Sequence, residues 1–234
     1  MRARIMDRVA TVILTLIAVL IIGTLVGLLG SILTQGWHKL NLDFLTSPPN
    51  IVEAGGGIGP QLFNSLYLLV LTMVIAVPLG LGAGIYMAEY APDNKFTQFI
   101  RMSIEVLSSL PSIVVGLFGL LVFVNMTGWG YTLFAGALAL TVFNLPLLVR
   151  VTEDAIRSVP RSQKEASLAL GITKWRTIVS VILPAALPGI ITGTILASGR
   201  VFGEAAALLY TAGMSSPDLN FANLLQNTPD SPLN

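Results

Sequence analysis

The chain has 234 residues, 54% of them hydrophobic and 11% charged, with a formal net charge of +1 and a mean hydropathy of +0.80. A soluble domain carries about 25% charged residues, so the composition excludes an ordinary water-soluble enzyme and gives no bulk positive field for nucleic acid. Absence of cysteine removes disulfides and thiolate metal sites, and the single His38 has no partner His or Cys with which to hold a metal.

A bilayer core of about 30 Å is crossed by roughly 20 apolar residues in a helix. Residues 9–33 run without a charge, too long for the apolar region of a cleaved leader, and predict a retained first span. The second span is expected at 63–87, with Pro78 inside it, and the third at 104–124, carrying Glu105, Ser108, Ser109 and Pro111. The fourth covers 131–149 with Asn144 and Pro146, and the fifth covers 187–209. Pro and Gly inside spans are tolerated where neighbours satisfy the freed carbonyls. Gly55 to Gly57, in the loop before span two, read as flexible linker. Trp37, Trp129 and Tyr131 fall at span ends, as an aromatic belt would. Arg101 and Glu105, four apart at the mouth of span three, are expected to pair with each other.

Lysine and arginine mark the cytoplasmic side. With the N-terminus placed there, Arg2, Arg4, Arg8, Lys95, Arg101, Arg150, Arg157, Arg161, Lys164, Lys174 and Arg176 all lie inside, Lys39 lies outside, and Arg200 sits within span five.

Residues 150–184 form the longest polar stretch on that inner side. Ser162-Gln-Lys-Glu165 has the spacing of a capping box. Gly171 stands where a left-handed glycine would stop the helix, Thr173 can cap a second helix from Lys174, and Pro184 is expected to limit it. Ala166, Ser167 and Ala169 give the first helix a small-residue surface that a partner could approach closely.

Within span five, Arg200 lies near the midplane and Glu204 one turn further on, predicting an i,i+4 ion pair. A charge at that depth is a functional candidate by default. The guanidinium fork suits tetrahedral oxyanions, with Gly199 and Gly203 leaving room for another helix or a substrate. A purely structural pair locking span five to a neighbour is the alternative. No catalytic triad, paired carboxylates or GxxxxGK[ST] phosphate loop is present.

The stretch EASLALGITKWRTIVSVILP, Glu165 to Pro184, resembles the EAA loop of ATP-binding-cassette importer permeases. Glu165, Ala166, Gly171, Leu183 and Pro184 match, while Ser167 and Val181 replace Ala and Ile. Further stretches resemble the PstA-type phosphate permeases: LTSPP and GGGIG within Leu45 to Gly59, LPSIVVGLFGLLVFV at Leu110 to Val124, and span five through GEAAALLYTAG. The resemblance implies an all-α polytopic membrane protein, a MetI-like bundle forming one permease domain over 1–234. Five spans of an expected six are present, so the chain looks truncated at its C-terminus. It implies a transport subunit, not an enzyme, that forms half of a phosphate pore in the bacterial cytoplasmic membrane. Its expected partners are an ATPase dimer, a second, PstC-type permease, a periplasmic phosphate-binding protein and the lipid bilayer, with no nucleic acid. No cofactor is expected in this chain, ATP being bound by the ATPase. Ser162, Glu165, Ala166, Ser167, Gly171, Trp175 and Pro184 would form the ATPase-coupling loop, and Arg200 and Glu204 the translocation site. Sulfate or molybdate as cargo, an ion-coupled secondary carrier, and an assembly subunit are the rival readings.

Overall fold

The computed structural model describes residues 2–49 and 56–212, which form two compact units, Met1–Gly59 and Pro60–Asn234. The C-terminal expectation of a missing span falls outside the described residues.

The first unit is built on α1 (Arg2–Gly36), continued by a 3-10 turn at Trp37–Lys39 and a short α2 (Leu42–Thr46). From Met6 to Leu29 every side chain of α1 is exposed within the unit. The hydroxyls of Thr11, Thr15, Thr24 and Thr34 fold back onto carbonyls one turn earlier, which keeps them bonded inside an apolar stretch. Asn41 caps α2 by accepting from the Phe44 N–H at 2.7 Å. The glycines after it are more tightly held than the linker reading supposes. Gly56 sits at φ 91° in a single antiparallel bridge with Pro49, and the Gly57 N–H donates to the Pro48 carbonyl at 2.9 Å. Gly55 lies outside the described residues.

The second unit holds α3 (Gly59–Ile85), α4 (Lys95–Ser108), α5 (Ser112–Gly119), α6 (Leu133–Arg157), α7 (Arg161–Ala169), α8 (Lys174–Thr177), α9 (Leu183–Gly203) and α10 (Ala206–Thr211). Wide π turns extend three of these segments: Tyr86–Tyr90 after α3, Leu120–Met126 after α5, and Ile178–Ile182 joining α8 to α9.

Small residues explain why α6 is the buried axis. A Cβ placed on Gly80 would meet Leu148 Cβ at 2.6 Å, and one on Gly84 would meet Thr152 Cβ at 2.5 Å, so α3 and α6 run in the same direction. On the other side a Cβ on Gly189 would meet Ala155 Cβ at 2.9 Å, and Gly193 abuts Val151, so α9 runs antiparallel to α6. Thr72, Ala76, Gly80 and Gly84 recur every fourth residue on α3, as do Gly193, Ala197 and Val201 on α9, and all are buried. This spacing brings backbones close, the usual basis of helix association where lipid removes the hydrophobic drive.

The expected third span at 104–124 is broken. Helices α4 and α5 meet at a bend of 98°, because Pro111 has no N–H to donate and its ring disfavours helical backbone at Leu110. The hydroxyls of Ser108 and Ser109 turn back onto the carbonyls of Glu105 and Val106, closing α4. Past its expected end at 149, α6 runs to Arg157, into the stretch read as coupling loop. The fifth span begins earlier than expected, at Lys174, and ends at Gly203. Tyr131 is no belt residue: left-handed Gly128 and Gly130 fold the chain so that it is buried against Val124 and Ala135, whereas Trp37 stays exposed.

Candidate coupling and translocation sites

The polar segment after α6 folds into a helix, a glycine turn and a second helix. Its first helix does not begin with a capping box. Pro160, with φ fixed at −57°, occupies the N-cap of α7, which puts Ser162 two positions into the helix with its side chain exposed and Glu165 beyond reach of a cap. The end of α7 follows the glycine rule. Gly171 adopts φ 76°, its N–H donates to the Leu168 carbonyl at 2.9 Å, and the Ile172 N–H donates to the Ser167 carbonyl at 3.4 Å. Gly171→Val forces a β-branched side chain into that left-handed geometry, at an expected cost of about 2 kcal/mol. A lowered melting temperature of the purified chain is the check.

Thr173 is the N-cap of α8 through its carbonyl, which accepts from the Thr177 N–H at 2.9 Å, and its hydroxyl makes no cap bond. Pro184 does not limit the second helix. The π turn at Ile178–Ile182 precedes it and leaves Pro184 in the first turn of α9, where a missing N–H costs little. Ser167 points inward: its hydroxyl lies 2.9 Å from that of buried Thr177, tying α7 to α8. Leu170 (79% exposed) and Trp175 (62% exposed) stand open with Ala166 and Ala169, on a surface that also carries exposed Ser162 and Gln163, whereas Leu168 lines a cleft with Lys164 and Glu165.

Three carboxylates anchor this segment's surroundings, and two of them, Glu89 and Glu153, the sequence reading did not place. Glu153 of α6, 9% exposed, accepts from Arg101 Nε at 2.9 Å and Arg157 at 3.0 Å. The Arg101 guanidinium also reaches the Met87 carbonyl. Glu105 instead meets Arg150 at 3.1 Å, so Arg101 and Glu105 do not pair with each other, because each finds a partner on α6. Glu89, at the π turn after α3, meets Lys164 Nζ of α7, and its carbonyl accepts from Lys174 Nζ of α8. Lys174 also sits 4.4 Å over the Tyr90 ring. Glu89, Arg101, Arg157, Arg161, Lys164 and Glu165 line a cleft of about 550 Å³ beneath α7. Glu153→Ala strands two arginines, one of them half exposed, and is expected to cost about 2 kcal/mol, readable by chemical denaturation in detergent.

Arg200 and Glu204 are not paired. Helix α9 ends at Gly203, and Glu204, at ψ 115°, leaves the helical path, so the two side chains no longer share a helix face. The Glu204 carboxylate accepts from the Ala207 N–H at 3.2 Å, at the start of α10, where the positive end of the peptide dipoles favours a negative charge. The Arg200 guanidinium lies 3.8 Å from the centre of the Phe143 ring on α6, an attraction of about 1 kcal/mol or more when desolvated. No carboxylate or carbonyl partner is recorded for it among the described residues.

Apolar helices joined along small-residue seams, with a hinged polar helix pair at one end, define a multi-pass helical membrane protein. Residues 80–228 match the family of the binding-protein-dependent transport system inner membrane component, and the chain belongs to that family, the ABC importer permeases. A probable ABC transporter permease protein YqgI of Bacillus subtilis (strain 168) is 60% identical over 234 residues, spanning all of this chain and 80% of that one. The phosphate transport system permease protein PstA of Mycobacterium leprae (strain TN) is 37% identical over 224 residues, 94% of this chain and 73% of its own. The PstA of Xylella fastidiosa (strain 9a5c) is 40% identical over 184 residues, and the match spans 63% of that relative's length. Among solved structures, the inward-facing MetNI methionine ABC transporter aligns at TM-score 0.54 and 24% identity over 67% of this chain and 74% of that one, a likeness of fold. The expectation of an all-helical, MetI-like polytopic permease agrees with these findings. Among the described residues four helices are long and apolar enough to cross a membrane, and the bent α4–α5 pair makes a fifth candidate. The family implies an ATPase and a substrate-binding partner.

Proposed function

We propose that the cargo is inorganic phosphate and that this chain supplies half of its path. The observation that carries the reading is Arg200, which lies in the last turn of α9 and not near the middle of the span as the sequence suggested, and is held by an aromatic face, not by a carboxylate. Stacking on Phe143 fixes the plane of the fork while its edge N–H groups remain available to an oxyanion. An unpaired phosphate in a low-dielectric path is prohibitively costly, and a fixed cation offsets part of that cost. The names of the PstA relatives support the same cargo. Glu204, engaged with α10, leaves the positive charge of Arg200 uncompensated at short range, which favours an anion over a cation.

In this reading the end of the second unit that carries α7 and α8 faces the cytoplasm, in keeping with its arginines and lysines. An ATPase subunit docks on Ala166, Ala169, Leu170 and Trp175. Its closure moves α9 through the continuous helix that leads from Trp175 to Arg200. A binding protein delivers phosphate on the other side, and a second, PstC-type permease completes the path. ATP is bound by the ATPase, and no cofactor by this chain.

The test is radiolabelled phosphate uptake in cells lacking the gene, complemented with the intact chain, with sulfate and molybdate as competitors. Restored uptake indifferent to both competitors supports the reading. Competition by either would reassign the cargo to another oxyanion, and uptake no better than in the uncomplemented cells would remove phosphate altogether. Trp175→Ala deletes the largest exposed side chain of the docking surface. It is expected to lower ATPase retention in the purified complex about tenfold, the effect of a hot-spot aromatic, as read by co-purification.

A further inference from the structure

Glu89 stands apart from the rest of the charged end. Its carboxylate side chain is only 7% exposed, although it lies at the end of an apolar helix. Its partner is Lys164, on the helix α7 that the docking surface belongs to, 75 residues away in the chain. The same residue's carbonyl holds Lys174 of α8, and Lys174 in turn covers the neighbouring Tyr90 ring. One π turn at the end of α3 therefore grips both helices of the coupling segment, one through a buried charge and the other through a backbone oxygen.

The continuous chain from α8 into α9 is a covalent route out of the coupling segment. The grip at Glu89 is a second, non-covalent route, and it leads into α3. We infer that Glu89 is a positioning residue of the transport cycle: with Lys164 it forms a strut that carries displacement of the coupling helices into α3. The inference rests on the coupling role given to α7 and α8 above, not on the identity of the cargo. Separating the pair strands a carboxylate that is only 7% exposed, so the contact transmits a push without opening. From α3 the displacement passes to α6 through the Gly80 and Gly84 seam, where helix touches helix with no long side chain between. The strut thus moves the helix bearing Phe143, while the covalent route moves the helix bearing Arg200. Glu153 and its arginines tie α4 to α6 at the same end, with Arg101 also reaching the Met87 carbonyl, and among the described residues they form no ion pair with α7 or α8, so they do not substitute for it.

The experiment uses the assembled complex with its ATPase subunit. The chain has no cysteine, so Leu62→Cys near the far end of α3, 37% exposed, takes a single environment-sensitive fluorophore. ATP with vanadate traps the ATPase closed, and the fluorescence change at residue 62 reports movement of α3 without any cargo. In the Glu89→Gln and Lys164→Met backgrounds the change per assembled complex is expected to fall about tenfold, within the usual range of inter-site coupling. ATP hydrolysis should continue. The double variant should be no worse than either single one, as partners in one contact require. A wild-type signal per complex in either single variant would overturn the inference, even if less complex is recovered, because the pair would then only stabilise the fold. Losses that multiply in the double variant would overturn it too, and so would loss of ATPase binding, which would make the pair part of the docking surface. A permease for another oxyanion passes this test and fails phosphate uptake, so the two readings fail separately.

Discussion

Arg200→Gln is expected to reduce phosphate uptake about a hundredfold while leaving the complex assembled. Glutamine keeps a polar side chain of moderate length but loses the charge and the two-pronged fork. Hydrogen bonds to a charged group are worth about 1.5–3 kcal/mol each, and 1.4 kcal/mol is a factor of ten, so losing one net charged bond at the barrier gives this magnitude. Arg200→Lys should fall in between, because a point charge persists without the planar stack on Phe143. Phe143→Leu should cost only a few-fold, the scale of a cation–π contact of about 1 kcal/mol. Labelled uptake normalised to permease in the membrane reads all three. Equal uptake by Arg200→Gln and the intact chain would leave the arginine a packing residue and remove the main support for an oxyanion path.

Gly193→Leu should act on the fold and not on the cargo. Its Cβ would fall within the Val151 side chain of α6, and the remaining branched atoms have nowhere to go unless α9 moves away. Overpacking a tight core costs about 1–3 kcal/mol, and here the upper value applies because the neighbours on the same seam, Ala197 and Val201, are buried against other helices. About tenfold less folded permease in the membrane is expected, with partial recovery when Gly193→Leu is combined with Val151→Ala, which removes the opposing methyl carbons. Gly199→Ala serves as the control: no heavy atom lies within 4 Å of the added Cβ, and no loss should follow. A normal yield of Gly193→Leu would mean that α6 and α9 do not meet there.

Much of the architecture was readable from composition and from one motif. Uninterrupted apolar runs mark spans whatever surrounds them, and the glycine that ends α7 is legible because few residues tolerate φ 76°. The motif spacing placed the helix–turn–helix correctly, yet not its contacts. Ser162 and Glu165 have capping-box spacing, but Pro160 starts the helix earlier, a local competition that spacing cannot arbitrate. Arg200 and Glu204 were expected to pair because i,i+4 neighbours meet only while the helix continues, and it ends at Gly203. Pro111 was visible inside the third span, although its consequence, a 98° bend, depends on how α4 packs its charged side on α6. Glu89 and Glu153 were missed for a different reason. Lys164 lies 75 residues from Glu89 and Arg101 lies 52 from Glu153, each on another helix, and a single sequence holds no register between helices. Only the contact of Glu153 with Arg157, four residues on in α6, had a spacing that could have shown it.

The every-fourth-residue seams of α3 and α9 have a mechanical consequence. A side chain with several rotamers can absorb a small displacement of its neighbour by rearranging, which dissipates the motion locally. Glycine and alanine have no rotamers to change, and at Gly80, Gly84 and Gly189 the opposing atoms are already at or inside contact distance of any added carbon. Around α6 the bundle therefore lacks slack. A shift imposed at one end arrives at the other with its amplitude largely kept, so stiffness, more than the strength of any single bond, fixes how far a push on the polar end can reach.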